Sequence, residues 1–398
     1  MHLKTAAIFI ESYVAGGSDK IAKLLANSID CKKLYLFINK SANTEILLQK
    51  PLEDHIQVIF YSLPTLFDIS VYVNSKKNNQ ALWYILKSLS LIIRYPLIIF
   101  SIIYFYLLFK KYNINLYISN NGGYPGGEYN RSSTLAASLI DNCGVFHIFH
   151  SMAHPPRKIL KYIEYYYDKL LDSRCHLITD SQVSVDRIKD IRNISQNISI
   201  IHNGVKESNL KDYNIHSTLK LLHIGTLDNN KNQLLLLKMM NILINNLNLN
   251  IKLYLVGKEA EDGYLVKLQD YIDKYNLKDN ITLEGFSQNP YMYYYDMDIL
   301  LLSSKIESFP TVILEAMSVG LPVITTNAGG VEEQIINNEN GYIVNQNDLD
   351  DLVNKVKIFY KNRDKIKVFG HCAYEHFNKN FKIKTMIEKY NKLLKKGD

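Results

Sequence analysis

Short apolar segments rich in branched residues alternate along the chain with longer segments of helical period, of which Ser18–Ser28 is the first. The short segments have the length and composition of buried strands. In the first half they are Thr5–Ser12, Lys33–Asn39, Ile56–Ser62, Ile114–Asn120, Val145–His150, Cys175–Ser181 and Ile198–Asn203. In the second half they are Leu219–Gly225, Ile251–Gly257, Ile281–Gly285, Ile299–Ser304, Pro322–Asn327 and Tyr342–Val344. This alternation predicts an α/β protein with parallel sheets built from right-handed βαβ units.

The length of the chain and one break in its pattern predict two domains. A chain of 398 residues is long for a single core, and Val205–Thr218 is polar without strong periodicity. We therefore expect two Rossmann-like, doubly wound domains that face one another across a cleft, formed by residues 1–205 and 206–380. Within the remaining residues 381–398, the helical segment Lys382–Lys396 is expected to return to the first domain.

Composition and charge narrow the class of partner. The net charge is +7, but its lysines and arginines are dispersed and form no basic run interleaved with aromatics, which argues against a nucleic-acid partner. Phosphates or an anionic membrane surface fit better. The four cysteines are scattered, and the first apolar run is too short for a secretory signal. We expect a protein of the reducing cytoplasm.

One segment, Leu89–Phe109, is close to the roughly 20 apolar residues that a membrane-spanning helix needs. Arg94 and Pro96 interrupt it, and Lys110 and Lys111 follow it. Three interpretations remain open, in this order: an interfacial or partly buried helix, a buried core helix, and a true span. A span would divide the first sheet, because the next strand follows immediately.

The segment ESFPTVILEAMSVG predicts a binding site after the strand Ile299–Ser304. Pro310 stands where a helix begins, and the helix is apolar on nearly every face except at Glu315. A buried carboxylate needs partners, so Glu315 either caps backbone of a neighbouring loop or binds ligand hydroxyls. Glu307 lies on the loop, and the free N–H groups near Thr311 and Val312 form an anion site between the two carboxylates. A nucleotide sugar has this distribution of diphosphate and hydroxyls.

In the first half, two glycines and one glycine-rich loop follow strand ends. Gly16 and Gly17 precede a helix, where they either let backbone approach a phosphate or form a plain turn. The absence of a G-x-G-x-x-G motif argues against a dinucleotide oxidoreductase. The loop Asn121–Arg131 is expected at the mouth of the cleft, with Arg131 directed to an acceptor phosphate.

Three histidines, His147, His150 and His154, lie close together in sequence. They have no acidic or cysteine neighbour and the first two fall on a strand, so no metal site is predicted. His150 ends an apolar strand, where α/β sheets present their ligands; the alternative is a core histidine with its hydrogen bonds satisfied.

Together, ESFPTVILEAMSVGLPVITTNAGGVEE, HIGTLDNNKN, LVGKEAE, EGF and IHNGV resemble the retaining GT-B glycosyltransferases of family 4, over most of the chain. This resemblance implies that Glu307 binds donor-sugar hydroxyls, Glu315 binds the ribose, Lys231 neutralises the donor diphosphate and His150 contacts the donor sugar. It assigns catalytic roles to His150, Lys231 and Glu307. The donor-binding set is Gly16, Gly17, Lys231, Glu307, Phe309, Pro310, Thr311, Val312 and Glu315.

The sequence departs from the family pattern at two positions. Thr226 stands where the family has an arginine, so one phosphate-binding charge is missing or supplied elsewhere. Lys258 replaces a second glycine after Gly257, and it is a candidate to compensate.

The resemblance implies transfer of a hexose-type sugar, with retention, from a UDP- or GDP-linked donor without a metal or other cofactor. We expect the acceptor to be a polyprenyl-diphosphate-linked glycan of surface polysaccharide or O-antigen biosynthesis. The region Leu89–Lys111 would hold the enzyme at the inner face of the cytoplasmic membrane. The alternatives are a nucleotide-sugar epimerase of GT-B fold and a non-catalytic scaffold on that fold.

Overall fold

The chain folds into two compact units, which we describe separately. The structure is a computed structural model that describes residues 5–13, 17–40, 52–213 and 217–396. One unit comprises Met1–Ile201 with Ile387–Asp398, and the other comprises His202–Met386. Each unit is built around one parallel sheet with helices on its faces.

The first unit contains a seven-stranded parallel sheet with the order β3-β2-β1-β4-β5-β6-β7. The order reverses between β1 and β4, which pair directly. The strands are β1 (Thr5–Ile10), β2 (Lys33–Asn39), β3 (Ile56–Tyr61), β4 (Leu116–Asn121), β5 (Gly144–Phe149), β6 (His176–Thr179) and β7 (Ile198–Ile200).

The second unit contains a six-stranded parallel sheet with the order β10-β9-β8-β11-β12-β13, which reverses between β8 and β11. Its strands are β8 (Leu219–Ile224), β9 (Ile251–Val256), β10 (Ile281–Gly285), β11 (Ile299–Leu302), β12 (Val323–Thr326) and β13 (Gly341–Val344). All thirteen predicted strands are present within a few residues of their expected bounds, which confirms the α/β class. Their apolar runs were readable because parallel strands are covered on both faces.

The helices connect successive strands and cover both sheets. Those of the first unit are α1 (Gly17–Ala26), α2 (Leu66–Ser75), α3 (Gln80–Lys111), α4 (Glu128–Ala137), α5 (Lys161–Arg174) and α6 (Gln182–Arg192). Those that follow are α7 (Gln233–Asn241), α8 (Tyr264–Lys274), α9 (Tyr291–Asp296), α10 (Thr311–Ser318), α11 (Leu349–Lys361), α12 (Asp364–Asn380) and α13 (Ile383–Lys396).

Helix α3 corrects one expectation, because it continues through Pro96 as a single helix of 32 residues. A proline removes one backbone donor, so the carbonyl of Ile92 loses its helical partner. Both residues are on the exposed side of the helix, where that carbonyl can be solvated. The apolar helix therefore extends well beyond the stretch that Arg94 and Pro96 were expected to delimit.

By length and composition alone, α3 could cross a membrane, but only 18% of its most apolar window is buried in the protein. Its buried residues lie in its second half, where Ile98, Ser101, Phe105 and Phe109 pack on the core. A fully buried core helix is therefore excluded. Strands β3 and β4, which flank this region, belong to one sheet, so a single crossing between them would place strands of one sheet on opposite sides of a membrane.

A buried ion cluster connects α4, α5 and α6 in the first unit. Asp168 accepts hydrogen bonds from Arg192 at 3.1 Å, Arg131 at 3.5 Å and the Tyr124 hydroxyl at 2.7 Å. Arg131 also donates to Glu128 at 2.7 Å and is only 1% exposed. The hypothesis that Arg131 meets an acceptor phosphate is therefore wrong, since its guanidinium is enclosed by carboxylates of its own unit.

The last helix, α13, ends within the first unit. The side chain of Asn391 donates to the Ser28 carbonyl at 3.3 Å and accepts from the Asp30 N–H at 3.4 Å. Lys395 pairs with Asp30 at 3.3 Å. Residues Ile387–Asp398 thus belong to the same unit as the first seven strands.

We predict that Asp168→Ala strongly destabilises the first unit, because it leaves Arg131 and Arg192 with less compensation for their buried charges. Removing one partner of a buried ion pair costs about 3–5 kcal/mol, which corresponds to a fall of roughly 10 °C in melting temperature. Thermal unfolding followed by circular dichroism measures this. The control, Asp186→Ala, removes an exposed carboxylate that bonds only Gln182 among the contacts seen, and should change the melting temperature little; equal effects would contradict the role of the cluster.

Candidate functional site

In the second unit, two predicted site residues follow the two strands at which the strand order reverses. Lys231 follows β8 and Glu307 follows β11, and β8 and β11 are neighbours in the sheet. Open α/β sheets bind ligands at this reversal, outside the carboxyl ends of the strands. The structure therefore brings together residues that are far apart in sequence at the position where this architecture forms a crevice.

The Lys231 ammonium forms an ion pair with the Glu307 carboxylate. The backbone of each residue is also fixed. The Lys231 N–H donates to Asp228 at 2.8 Å, and its carbonyl accepts from the Ser303 hydroxyl at 2.7 Å. The Glu307 N–H donates to the Ala328 carbonyl at 2.7 Å. Each side chain thus starts from an anchored backbone, and the lysine keeps further N–H donors beyond the one given to Glu307.

The backbone next to the Lys231 side chain requires glycine at position 257. A Cβ atom on Gly225 would lie 3.6 Å from the Lys231 side chain, and one on Gly257 would lie 1.8 Å from the Gly225 carbonyl oxygen. The second distance is far inside van der Waals contact, so only glycine fits at position 257. The ends of β8 and β9 therefore approach one another closely, next to the aliphatic part of the Lys231 side chain.

The N-terminus of α10 follows Glu307 closely in sequence; the helix begins at Thr311, one residue after Pro310, where the sequence predicted its start. Its N-cap is Pro310, whose side chain makes no capping hydrogen bond to the first N–H groups. Thr311 and Val312 are partly exposed, whereas Phe309 is buried and packs edge-on against His202 at a centroid distance of 4.8 Å. The uncapped amides carry the positive end of the helix dipole and can bind an anion.

Glu315 lies in the middle of α10, and its carboxylate is held by a tyrosine. The Tyr294 hydroxyl donates to Glu315 Oε2 at 2.8 Å. Burial, followed by the charge of Glu315, raises the pKa of Tyr294 well above its usual value, so the hydroxyl stays a donor. Glu315 itself is half-buried, and one carboxylate can accept several hydrogen bonds.

Thr226 and Lys258, at which the sequence departs from the family pattern, both make hydrogen bonds within loops. The Thr226 hydroxyl donates to Asp228 Oδ2 at 2.6 Å, and the other oxygen of Asp228 accepts from the Lys231 N–H. Thr226 therefore helps to shape the loop that presents Lys231. The side chain of Lys258 is exposed, and its carbonyl accepts from the Leu227 N–H at 2.9 Å.

In the first unit, His150 lies just beyond β5 and bonds Asn120 at the end of β4. Asn120 donates its amide to the Ser18 carbonyl at 3.0 Å, so its oxygen faces His150 Nε2 at 2.9 Å and must accept. His150 Nε2 therefore carries the proton and Nδ1 keeps a lone pair. Nδ1 is buried without a hydrogen-bond partner, and burial lowers the pKa of His150 to about 4. The imidazole is a neutral acceptor suited to a ligand hydroxyl.

Gly17 is the first residue of α1 and directly precedes Ser18, whose carbonyl accepts the hydrogen bond from Asn120. A Cβ atom on Gly17 would meet nothing within 4 Å, so the space around it is open. Gly16 lies outside the residues that the structure describes.

The other two histidines of the cluster have separate partners. His147 is fully buried and bonds the Thr134 hydroxyl at 2.9 Å, and burial lowers its pKa to about 3. His154 is exposed, and its carbonyl accepts from Arg192 at 2.6 Å. Among the described residues, no group of three or more His, Cys, Asp or Glu side chains is arranged to hold a metal ion.

Sequence analysis missed Glu11, which follows β1 at the point where the first sheet reverses. Its carboxyl group accepts from the Tyr13 hydroxyl and from the Tyr129 N–H, the latter at 2.8 Å. A Cβ atom on Gly127 would lie 2.4 Å from Glu11 Oε2. Burial raises the pKa of Glu11 to about 7. A polar residue directly after a buried strand was the available signal.

His223 was also missed, because it lies inside the apolar run of β8. Its Nδ1 donates to the Leu301 carbonyl at 3.0 Å, and its Nε2 accepts from the Gln233 amide at 3.0 Å. The same amide donates to the Thr226 carbonyl at 2.7 Å. A neutral ring satisfies this network, and burial lowers the pKa of His223 to about 4.

The chain resembles known proteins in sequence and in fold. Residues 205–376, the part that contains Lys231, Glu307 and Glu315, match the family model described as "Glycosyl transferases group 1". The capsular polysaccharide biosynthesis glycosyltransferase CapM of Staphylococcus aureus is 26% identical over 154 residues, which are 37% of this chain and 40% of CapM. The match thus spans less than half the length of this relative.

Solved structures match nearly the whole chain. A glycosyltransferase from Rickettsia africae aligns over 100% of this chain and 99% of its own, with a TM-score of 0.77 and 17% identity. Anabaena HepE, solved in complex with UDP, aligns over 99% and 100%, with a TM-score of 0.70 and 15% identity. The fold is GT-B. In this fold, Lys231 and Glu307 lie beyond strand ends of the second sheet, and Glu11, Asn120 and His150 lie at or just beyond strand ends of the first.

We predict that the free energy of unfolding of His223→Gln depends less on pH on the acid side than that of the wild type. The ordinary pKa of histidine is 6.5 and that of folded His223 is about 4, so between these values the unfolded state binds more protons. Stability is therefore lost as the pH falls below about 6.5, by up to about 1.4 kcal/mol per pH unit for this group. Urea unfolding at several pH values measures the slope.

The variant should be less stable than the wild type at neutral pH, and the two curves should converge toward pH 4. His154→Gln replaces an exposed histidine and serves as control, with an unchanged slope expected. Parallel curves for His223→Gln and the wild type would mean that His223 is not the buried neutral group described here.

Proposed function

We propose that this protein is a glycosyltransferase that moves a hexose-type sugar from a nucleotide-diphosphate donor to a lipid-linked glycan. The observation that carries the proposal is the Lys231–Glu307 ion pair at the reversal of the second sheet, beside the uncapped N-terminus of α10. A cation and free helix amides are the groups that bind a diphosphate. The family match over the same residues supports this assignment.

Each donor group has a proposed partner in the second unit. Lys231 and the first amides of α10, near Pro310, Thr311 and Val312, hold the diphosphate, with Phe309 supporting that loop from the core. Glu307 accepts from sugar hydroxyls while it orients Lys231. Glu315, oriented by Tyr294, accepts from the ribose hydroxyls. The UDP bound to HepE makes a uracil nucleotide the first donor class to test.

The proposed reaction is metal-independent and retains the anomeric configuration. The bond between the anomeric carbon and the phosphate oxygen breaks, and the acceptor hydroxyl adds to that carbon from the same face and gives its proton to the leaving phosphate. Lys231 and the helix amides stabilise the charge that develops on that phosphate, which is commonly a large contribution to catalysis. From the first unit, the family resemblance assigns Gly17 to the donor phosphates, together with Gly16, which lies outside the described residues. His150 Nδ1 would accept from a hydroxyl of the donor sugar.

The proposed acceptor is a polyprenyl-diphosphate-linked glycan, and the proposed setting is surface polysaccharide synthesis, at the inner face of the cytoplasmic membrane. CapM is a capsular polysaccharide biosynthesis glycosyltransferase, which supports the setting. The four cysteines are free thiols, as a reducing compartment would keep them.

The exposed side of α3 supports membrane attachment. Its apolar stripe recurs with helical spacing and comprises Leu82, Ile85, Leu89, Ile92, Ile99, Ile103 and Leu107. Ile92 is 69% exposed, and Lys110 and Lys111 close the helix. Apolar side chains beside lysines match the interface of an anionic bilayer, so we assign this stripe to a lipid surface.

We predict that a uracil nucleotide stabilises the protein through Lys231 and Glu315. Ligand at 100 times its dissociation constant should add roughly 2.7 kcal/mol, which raises the melting temperature measurably. Lys231→Ala and Glu315→Gln should each abolish most of that shift. Lys238→Ala, which removes another lysine a short distance along the same unit, should preserve it.

Activity with a polyprenyl-diphosphate acceptor is the second measurement. Release of UDP from the UDP-sugar should depend on acceptor, should continue in the presence of EDTA and should fall by a hundredfold or more in Lys231→Ala. Turnover of Lys231→Ala at the wild-type rate would refute the proposal. A change in the donor sugar without acceptor would point to an epimerase instead.

We predict that Ile92→Asp combined with Ile99→Asp weakens binding to anionic vesicles by at least tenfold. Each buried isoleucine contributes about 1.5–3 kcal/mol to such burial, and the added charges are repelled. Cosedimentation with phosphatidylglycerol vesicles measures the effect. Val368→Asp, at an exposed apolar residue of α12, is the control and should bind like the wild type; equal binding by all three proteins would argue against the stripe as the attachment surface.

A further inference from the structure

The first unit contains a groove of about 580 Å³ between α2 and α3, closed at one end by the loops that follow β1 and β4. This volume lies within the range of small-molecule sites in proteins. None of the residues that family resemblance marked as site residues lines it. The groove therefore needs an explanation of its own.

One wall of the groove is a single face of α3. Trp83, Lys87, Ser90 and Arg94 all line it, and their spacing of four, three and four residues places them in one row along the helix. The Lys87 ammonium lies 4.3 Å from the centre of the Trp83 ring. This row is distinct from the apolar stripe, which occupies the exposed side of the same helix.

The opposite wall is apolar and belongs to α2. Phe67, Ile69 and Val73 line the groove there, and Trp83 adds an aromatic ring from α3. Phe67 also stacks on Tyr13, which follows β1, at a centroid distance of 4.3 Å. The capping box between Thr65 and Asp68, with hydrogen bonds of 3.1 Å in both directions, fixes the start of α2 beside it. An extended hydrocarbon chain fits between two such helical faces.

The groove also contains three cations. Lys87, Arg94 and Arg157 line it, opposed by the carboxyl groups of Glu11 and Glu128. Glu128 is bonded to both Arg94 and Arg131, so its charge is already compensated. Burial raises the pKa of Glu11 to about 7, which leaves that carboxyl partly neutral at physiological pH. The basic groups therefore dominate, and Arg94 retains N–H donors beyond the one given to Glu128.

We propose that this groove binds a phosphate-bearing amphiphile, with its hydrocarbon chain against Phe67, Val73 and Trp83 and its phosphate between Lys87, Arg94 and Arg157. The inference deepens the proposed function and rests on it, because a lipid-linked acceptor has this chemistry. A membrane phospholipid has the same chemistry, and the experiment separates these two sources.

One end of the groove lies next to the carboxyl ends of two strands of the first sheet. Its polar end is formed by residues that follow β1 and β4, the two strands at which the first sheet reverses. A phosphate bound there places the next group of the amphiphile, the glycan of a lipid-linked acceptor, at the carboxyl ends of these strands. His150 and Asn120 also lie at these ends, and the two side chains bond one another.

Trp83 is the only tryptophan of the chain, so its fluorescence reports directly on the groove. The protein is titrated in detergent micelles with a polyprenyl phosphate, with the uncharged polyprenol, with inorganic diphosphate and with phosphatidylglycerol. We expect saturable quenching or a shift of the emission with the polyprenyl phosphate, and at least tenfold weaker binding of polyprenol and inorganic diphosphate. Polyprenol binding as tightly as its phosphate would overturn the proposal.

Two pairs of variants locate the site. Arg157→Ala removes a charge from the groove, whereas Lys158→Ala removes the neighbouring charge outside it; we expect roughly a tenfold loss of affinity in the first only. Ser90→Phe fills the groove, whereas Ser88→Phe adds the same ring to the exposed side of α3. Both serines bond a carbonyl of their own helix, at 2.7 Å and 2.9 Å, so the substitutions are matched. Equal affinities within both pairs would overturn the assignment.

Stabilisation by UDP, measured in the same variants, separates the two proposals. Wild-type protein that binds UDP but shows no difference within either pair refutes the groove alone. Protein that UDP does not stabilise refutes the proposed donor site, while the fluorescence titration still decides whether the groove binds the amphiphile. Saturation by phosphatidylglycerol with the affinity of the polyprenyl phosphate would support the groove and assign it to membrane lipid.

Discussion

The pairing of β8 with β11 is the constraint on which the candidate donor site depends. Because the strand order reverses there, the loops after these two strands diverge to opposite faces of the sheet and leave a crevice between them. Lys231 follows β8, Glu307 follows β11, and their side chains form an ion pair. The pair is largely buried, and it fixes the direction of the Lys231 ammonium at the ends of these two strands.

The same constraint acts in the first unit, where β1 pairs with β4. Glu11, Asn120 and His150 all lie just at or beyond strand ends around this reversal. The buried cluster around Asp168 stabilises this edge of the sheet. Tyr124, in the loop after β4, and Glu128, at the start of α4, both belong to the cluster. Arg131, which looked like a ligand-binding residue in the sequence, instead fixes the loop that forms the polar end of the groove.

The fold was predictable because parallel strands are buried on both faces and appear as uninterrupted apolar runs. Glu307 and Glu315 could be singled out from their places after a strand and within an apolar helix, and Lys231 only from the family resemblance; their roles in binding stay predictions. Glu11 and the groove were not predictable, because Trp83, Arg94 and Arg157 meet only through tertiary packing. Pro96 was expected to interrupt the helix, but the helix continues through it. The carbonyl of Ile92, which loses its partner, belongs to an exposed residue and can be solvated.

Helix α3 shows why average hydrophobicity predicts little about what an apolar helix contacts. A helix that is apolar on most sides is usually a core helix, yet α3 meets three environments: one face lines the groove in its first half and packs in the core in its second half, and the opposite face is exposed. Phe105 and Phe109 pack in the core, the row from Trp83 to Arg94 lines the groove, and the stripe through Ile92 is exposed. Each environment accepts apolar residues, but only the groove row combines an aromatic ring with two cations. The polar residues of an apolar helix are therefore the informative ones, because in α3 they mark the face that an anionic ligand can reach.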